Sequence, residues 1–300
     1  MIASYFGLRQ QPFPASPDAA SYYPATSHER ALHRLAGGLA DGEGMLLLTG
    51  AEGTGKTLLG QLAVERLGQG TSTAFLTNSH FGNRAALFQA LLFDLGQPHE
   101  GRGEQDLRLA LTDHLLRSFK PGQPTVAVVD EAQHLDTDLL EELRLLGNLE
   151  SSAGKALQVI LVGLPCLLDR LALPALAPLR QRMAVRATVE PLALQEAADY
   201  LLHHIRIAGG RPSAVFTDEA LEVLARGSGG VPRLLSQAGR QAMTLSAEAD
   251  ASQVDAEAAL EALARLGLDA TVTAPAVEES AVSPEGNDPA CRMFVSLRPA

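Results

Sequence analysis

The chain has 300 residues, 46% hydrophobic and 20% charged, enough for one large or two small packed domains. A formal net charge of −11, from 24 basic and 35 acidic residues, excludes a global basic surface that grips nucleic acid or anionic lipid non-specifically, and leaves only a local basic patch open. Two cysteines, Cys166 and Cys291, support neither a disulfide framework nor a zinc spacing, and no leader or membrane-length apolar run is visible, so a cytoplasmic protein without membrane insertion is expected.

Along the chain, short β-rich apolar runs alternate with longer helical patterns, the signature of βαβ units around a parallel sheet. Strands are predicted at 45–49, 73–77, 125–129, 159–162 and 185–189. The middle ones are hydrophobic almost without interruption, which implies helices on both faces. Helical spacing of apolar residues fills the intervals at 57–67, 84–95 with 105–119, 139–149 and 166–173. The sheet region is predicted to end near Pro191. From Ala193 onward the strand signal stops and helices are predicted at 193–208, 217–226, 233–248 and 252–266, with Thr217 and Ser252 placed as N-caps.

Directly after the first strand stands Gly50-Ala51-Glu52-Gly53-Thr54-Gly55-Lys56-Thr57, which fits G-x-x-x-x-G-K-[ST] and runs into a helical pattern. Glycines let the loop turn its backbone N–H groups toward a phosphate chain, and the helix N-terminus adds partial positive charge. Lys56 is expected to reach the β- and γ-phosphates of ATP and Thr57 to hold Mg²⁺, with residues 50–58, ending at Leu58, forming the nucleotide contact.

The run Thr125-Val126-Ala127-Val128-Val129 ends in Asp130-Glu131, at the carboxyl edge where open α/β sheets bind ligands. Asp130 suits contact with Mg²⁺; Glu131 suits orienting and deprotonating the attacking water. Arg180 and Arg182 precede the last strand and are candidates for stabilising γ-phosphate charge in a neighbouring subunit, with an ordinary surface role as the alternative. Arg233 follows Pro232 at a helix start, where a helical lid would bring it over the nucleotide, or where it would pair with a local carboxylate. His134, just beyond Glu131, reads as a loop histidine, with help in positioning water as the alternative, and Cys166 as a buried, inert thiol. His203 and His204, adjacent on a helix, face different directions and do not suit a shared metal.

Taken together these motifs resemble AAA+ ATPases, and more narrowly the ExeA/GspA family of secretion-associated ATPases with its MshM-type pilus relatives. The resemblance runs from about Tyr5 to Leu266. It is carried by Tyr5-Phe6-Gly7-Leu8, Pro12-Phe13, Tyr22-Tyr23 and His28-Glu29-Arg30-Ala31-Leu32, then the phosphate loop (Walker A), Asp130-Glu131-Ala132-Gln133 (Walker B), the run 145–150, Val162-Gly163, Arg180-Gln181-Arg182 and Gly230-Val231-Pro232-Arg233. It implies a P-loop AAA+ fold with a five-stranded parallel sheet, the 159–162 strand lying between the phosphate-loop strand and the Asp130 strand, followed by a small all-α lid. The expected division is a nucleotide-binding α/β domain over 1–191, including an adenine-side N-terminal segment, a helical lid over 192–268 and a disordered tail over 269–300.

Two departures from the family pattern matter. Leu164 stands where a polar γ-phosphate sensor is usual, and leucine cannot hydrogen-bond a phosphate or a water, so slower hydrolysis is expected. A polar tail stands where membrane-tethered members carry a spanning helix, so a separate membrane-anchored partner is expected. The implied function is a Mg²⁺-ATP-driven homo-oligomer that helps assemble a secretion, pilus or polysaccharide-export apparatus. A DNA-dependent target-selection ATPase of the TniB/TnsC type shares the core motifs, although the acidic composition weighs against it. A slow-hydrolysing nucleotide switch is the third reading that Leu164 keeps open.

Overall fold

Five strands build the centre of the molecule, the middle three buried throughout and the two edge strands only in part: β1 (Met45–Gly50), β2 (Ser72–Leu76), β3 (Thr125–Val129), β4 (Leu157–Gly163) and β5 (Met183–Val189). The computed structural model describes residues 2–14, 19–68, 70–120, 124–151 and 154–268. The strands form one parallel sheet in the order β2-β3-β4-β1-β5, so β4 does lie between β1 and β3. Alternation along each strand sends side chains to opposite faces. Met45, Leu47, Val129 and Leu161 point to a core shared with helices Arg84–Asp94, Glu104–Ser118 and Thr137–Leu146. Leu46, Leu48, Val128 and Val162 point to the other face, under helices Thr26–Ala40 and Lys56–Glu65. Both faces are covered, as the unbroken apolar strands require.

The predicted elements are present with ends displaced by a few residues, but some pieces carry too little signal. Helix Thr26–Ala40 is legible only as a run of family residues, although Ala31, Leu32, Leu35 and Leu39 recur at helical spacing and are buried. The short helix Ala177–Arg182 and the antiparallel pair Glu150–Ser151 and Gly154–Lys155 are too brief for periodicity to reveal.

A third core lies beyond Val189, among helices Leu194–Ile207, Asp218–Gly227, Pro232–Glu248 and Ala256–Arg265. Thr217 caps the second of these by accepting from Ala220 N at 3.2 Å. Ser252 does not cap the last one. That helix begins at Ala256 with Asp255 accepting from Ala258 N at 2.9 Å, because residues before it are drawn into a bridge in which Val254 N donates to Val215 O at 2.8 Å. From the N-terminal segment, Leu8, Phe13 and Ala25 are buried in this helical core. The tail 269–300, with Cys291, lies outside the described residues. Among the described residues no helix is long and apolar enough to cross a membrane.

Candidate nucleotide site

The loop between β1 and helix Lys56–Glu65 closes on itself. Gly53 (φ 75°) and Gly55 (φ 89°) occupy the left-handed region that glycine enters without strain, and a Cβ on Gly53 would stand 2.9 Å from Arg233 Cβ. Gly55 is the N-cap and offers no side chain to the first helical N–H groups, which leaves those donors free to face an anion. Lys56 is 6% exposed, and its Nζ donates to Ala51 O at 2.8 Å, as does Thr54 Oγ1 at the same distance. Burial pulls the Lys56 ammonium below its ordinary pKa, against the opposing pull of Glu131, Asp130 and Glu52. Behind the loop, buried His28 sets Nε2 2.8 Å from Thr54 O, which ties helix Thr26–Ala40 to the loop backbone.

Two positions from β1 in the sheet, β3 delivers Asp130 to the same edge. Asp130 is 4% exposed; its Oδ2 accepts from Thr57 Oγ1 at 2.5 Å and its Oδ1 from Glu131 N at 2.9 Å. Burial raises its pKa, and these two donors act in the opposite direction. Ser79 Oγ, beyond the end of β2, donates to Asp130 O. Glu131 adopts φ 53°, ψ 37°, a left-handed conformation uncommon for a non-glycine residue and typical of functional sites. The turn it makes directs the carboxylate into the cleft wall, while Asp130 stays behind Thr57. Gln133 Nε2 donates to Glu131 Oε2 at 2.5 Å, and Gln133 Oε1 accepts from Leu164 N at 3.1 Å. In the sequence, Gln133 is visible only as the fourth letter of the acidic motif.

The helical region closes the other side of a cleft of about 240 Å³, lined among others by Tyr22, His28, Lys56, Thr57, Glu131, Tyr200 and Arg233. Arg233 Nη1 donates to Glu52 Oε1 at 2.7 Å and Arg233 N to Gly53 O at 3.2 Å, so the lid touches the phosphate loop directly. Of the expected contacts, Glu52, Gly53, Thr54, Gly55, Lys56, Thr57 and Leu58 line the cleft, with Gly50 and Ala51 forming the loop's entry. Arg180 and Arg182 do not line it. Both are exposed on the short helix before β5, where Arg186 Nη2 donates to Arg180 O at 3.0 Å.

Tyr200, His204, Ser236, Gln237 and Arg240 also face the cleft, although in sequence they are only polar positions on amphipathic helices. Tyr200 Oη and Ser236 Oγ lie 2.7 Å apart. His203 and His204 do diverge: His203 Nε2 lies 3.1 Å from Tyr22 O, whereas His204 packs 4.4 Å from the Tyr200 ring and 5.7 Å from Phe13. Burial and then the neighbouring His203 push His204 down to about 4. His134 lies on the 3₁₀ turn Ala132–His134 and stacks on His80 with ring centroids 4.2 Å apart. Cys166 is half-buried rather than buried, because it opens helix Cys166–Leu171 at the sheet edge instead of sitting on the inward face with Leu167 and Leu171.

A parallel sheet with a glycine-rich phosphate loop on its first strand, an acid-ended strand two positions away and a helical lid define the class: a P-loop nucleotide-binding protein of the AAA+ type. A family profile described as AAA domain matches residues 39–171. The fold is similar to the ADP form of the Aeropyrum pernix ORC2 protein, with a TM-score of 0.65 and 16% identity over 87% of this chain and 72% of that one. It is also similar to the RuvB Holliday junction branch migration motor of Thermotoga maritima, with a TM-score of 0.57 and 18% identity over 87% of this chain and 75% of that one. The chain is 39% identical over 237 residues to General secretion pathway protein A of Aeromonas hydrophila, a likeness that supports the ExeA/GspA family of AAA+ ATPases. That match covers 79% of this chain and 43% of the relative, so the chain spans less than half the length of that protein.

Proposed function

We propose that this chain binds Mg²⁺-ATP in the cleft and hydrolyses it, and that a homo-oligomer couples the cycle to assembly or regulation of a secretion, pilus or polysaccharide-export apparatus. The observation that carries the reading is the meeting of three parts at the carboxyl ends of β1 and β3: the glycine-rich loop with Lys56, the pair of half-buried Thr57 with buried Asp130, and Glu131 on the cleft wall. The 39% identity to General secretion pathway protein A supports the choice of machine.

Thr57 Oγ1 and Asp130 Oδ2 present a hydroxyl and a carboxylate at one point, oxygen donors of the kind a hard divalent cation takes. Mg²⁺ would be held by these two residues, and when bound it supplies neutralisation of phosphate charge. Lys56 exchanges the Ala51 carbonyl for β- and γ-phosphate oxygens. Glu131 takes a proton from water as the water oxygen bonds to the γ-phosphorus. The bond to the bridging oxygen breaks with its electron pair leaving on ADP, and the products are ADP, inorganic phosphate and a proton. Arg233 follows the nucleotide from the lid. Arg180 and Arg182, exposed and away from their own cleft, are assigned to the cleft of a neighbouring subunit.

Replacing Glu131 tests the catalytic core: Glu131→Gln should cut phosphate release by about 10²–10⁴-fold while a fluorescent ATP analogue still binds. Unchanged release would refute the assignment. Turnover that does not depend on protein concentration, from a strictly monomeric species, would remove the trans-arginine part. Captured in its ATP-bound Glu131→Gln form, the protein should bring down an envelope component. A transposase, or an ATP-dependent shift of duplex DNA at low salt, would instead support the DNA-dependent reading.

Leu164 favours one second reading, a switch whose partner affinity differs between ATP and ADP and whose hydrolysis is slow. Leu164→Gln should then speed hydrolysis, and an unchanged rate would count against it.

A further inference from the structure

Glu131 is placed on a turn, not on a strand. Its left-handed backbone frees its side chain from the direction β3 would impose, so its carboxylate needs a tether to stay in one place. The only side chain with a hydrogen bond to that carboxylate among the described residues is Gln133. We propose that Gln133 is a positioning residue for hydrolysis: its amide holds the Glu131 carboxylate at the end of β4, a service that the apolar side chain of Leu164 cannot perform. The proposal rests on the reading of Glu131 as the base.

The orientation of the amide is fixed by chemistry. Leu164 N–H is only a donor, so the atom 3.1 Å from it must be the carbonyl oxygen Oε1, which leaves the NH₂ group facing Glu131 Oε2 at 2.5 Å. The carboxylate is thereby bridged through one side chain to the backbone between β4 and helix Cys166–Leu171. Space for the bridge exists because position 163 is glycine: a Cβ there would stand 2.8 Å from Gln133 Oε1. The turn bearing Gln133 is pinned as well, with Arg170 donating to the carbonyls of Gln133 and Leu135. Gln133 is buried, so rotating its amide away would leave polar groups without partners. Leu164 thus contributes through its backbone N–H, and the side chain that touches the carboxylate comes from the exit of the neighbouring strand, two residues beyond Glu131 itself.

Two substitutions separate positioning from a merely structural tie. Gln133→Met fills the same space without either hydrogen bond. Gln133→Glu keeps an acceptor for Leu164 N–H but sets an oxygen against Glu131. Both should lower kcat by about 10- to 100-fold, with KM and the affinity for a fluorescent ATP analogue held within about twofold. Wild-type kcat in Gln133→Glu would overturn the proposal, because the bond to Leu164 alone would then account for the residue. If Gln133→Met fails to fold, Gln133→Asn keeps the amide but falls one methylene short of Glu131, and the same loss of kcat is expected. In a Glu131→Gln background, Gln133→Met should cost nothing further; an additive loss would overturn the proposal. Full turnover of Glu131→Gln alone would defeat both this and the reading of Glu131 as the base, whereas its loss beside unaffected Gln133 variants would defeat only the positioning role.

Discussion

The sheet edge and the helical lid hold their halves of the cleft in different ways. At the sheet edge buried Lys56, Asp130 and Gln133 and half-buried Thr57 and Glu131 are bound to one another or to the loop: Lys56 to Ala51 O, Thr57 to Asp130, Glu131 to Gln133. From the lid, Arg233 reaches the phosphate loop through an ion pair with Glu52 in which both side chains are more than half exposed. Buried, mutually bonded groups are expensive to disturb, while an exposed pair contributes roughly 0–1 kcal/mol and exchanges readily with water or a phosphate. Preorganisation therefore resides in the strand ends, and the lid's contact with the phosphate loop is the one held least tightly.

The largest test of that contrast is Lys56→Ala. Under the proposed role of Lys56, removing this buried cation should lower phosphate release by about 10²–10³-fold and leave the helical core's melting unchanged. Parallel loss of lid stability would mean that the two regions are not separable.

Acid should break the contrast from the other side. His204 sits at about 4 in the folded protein against an ordinary value of 6.5, so between those two pH values the unfolded chain binds more protons and stability falls as pH falls. The lost contribution, spread over that window, is on the order of 3 kcal/mol. Thermal unfolding followed from pH 7 to 4 should show it, with hydrogen exchange rising first in helix Leu194–Ile207, and His204→Leu should flatten the profile.

Arg233→Ala should reduce turnover by about tenfold, the scale of one charge-assisted hydrogen bond, while shifting stability by less than about 1 kcal/mol. Calorimetric nucleotide binding together with a melt checks both halves of that statement. Smallest of all, Glu52→Gln frees Arg233 from its carboxylate and should tighten ATP binding by at most about fivefold. Weaker binding would show that the pair assists the nucleotide instead of competing with it.

Much of this arrangement is written locally. A phosphate loop is a continuous string whose glycines, lysine and threonine act within one turn of chain, and an acid-ended apolar run announces both a strand and its carboxyl edge. For that reason Lys56, Thr57, Asp130 and Glu131 are legible in the chain alone, and they do meet. The lid is recognisable as helical for the same reason, since amphipathic spacing is a local signal. Ser252 misleads because capping competes with a tertiary bridge through Val254, and Cys166 because one residue's turn on a short helix decides its burial.

No local pattern could specify which distant groups complete the site. Gln133 acquires its partner only when β4 inserts beside β3 and sets Leu164 N–H 3.1 Å from its amide. His28 reaches the loop carbonyl from a helix 26 residues earlier, and Tyr200 and His204 face the cleft only because the lid folds over it. Neighbours along the chain suffice for the strand-loop-helix unit, the acids at the end of β3 and the helical character of the region beyond Val189, because each of these depends on residues within a few positions of one another. How the carboxylate is held, where the N-terminal segment packs and which arginine touches the phosphate loop emerge only on folding, because those contacts join segments whose separation in sequence leaves no periodic trace.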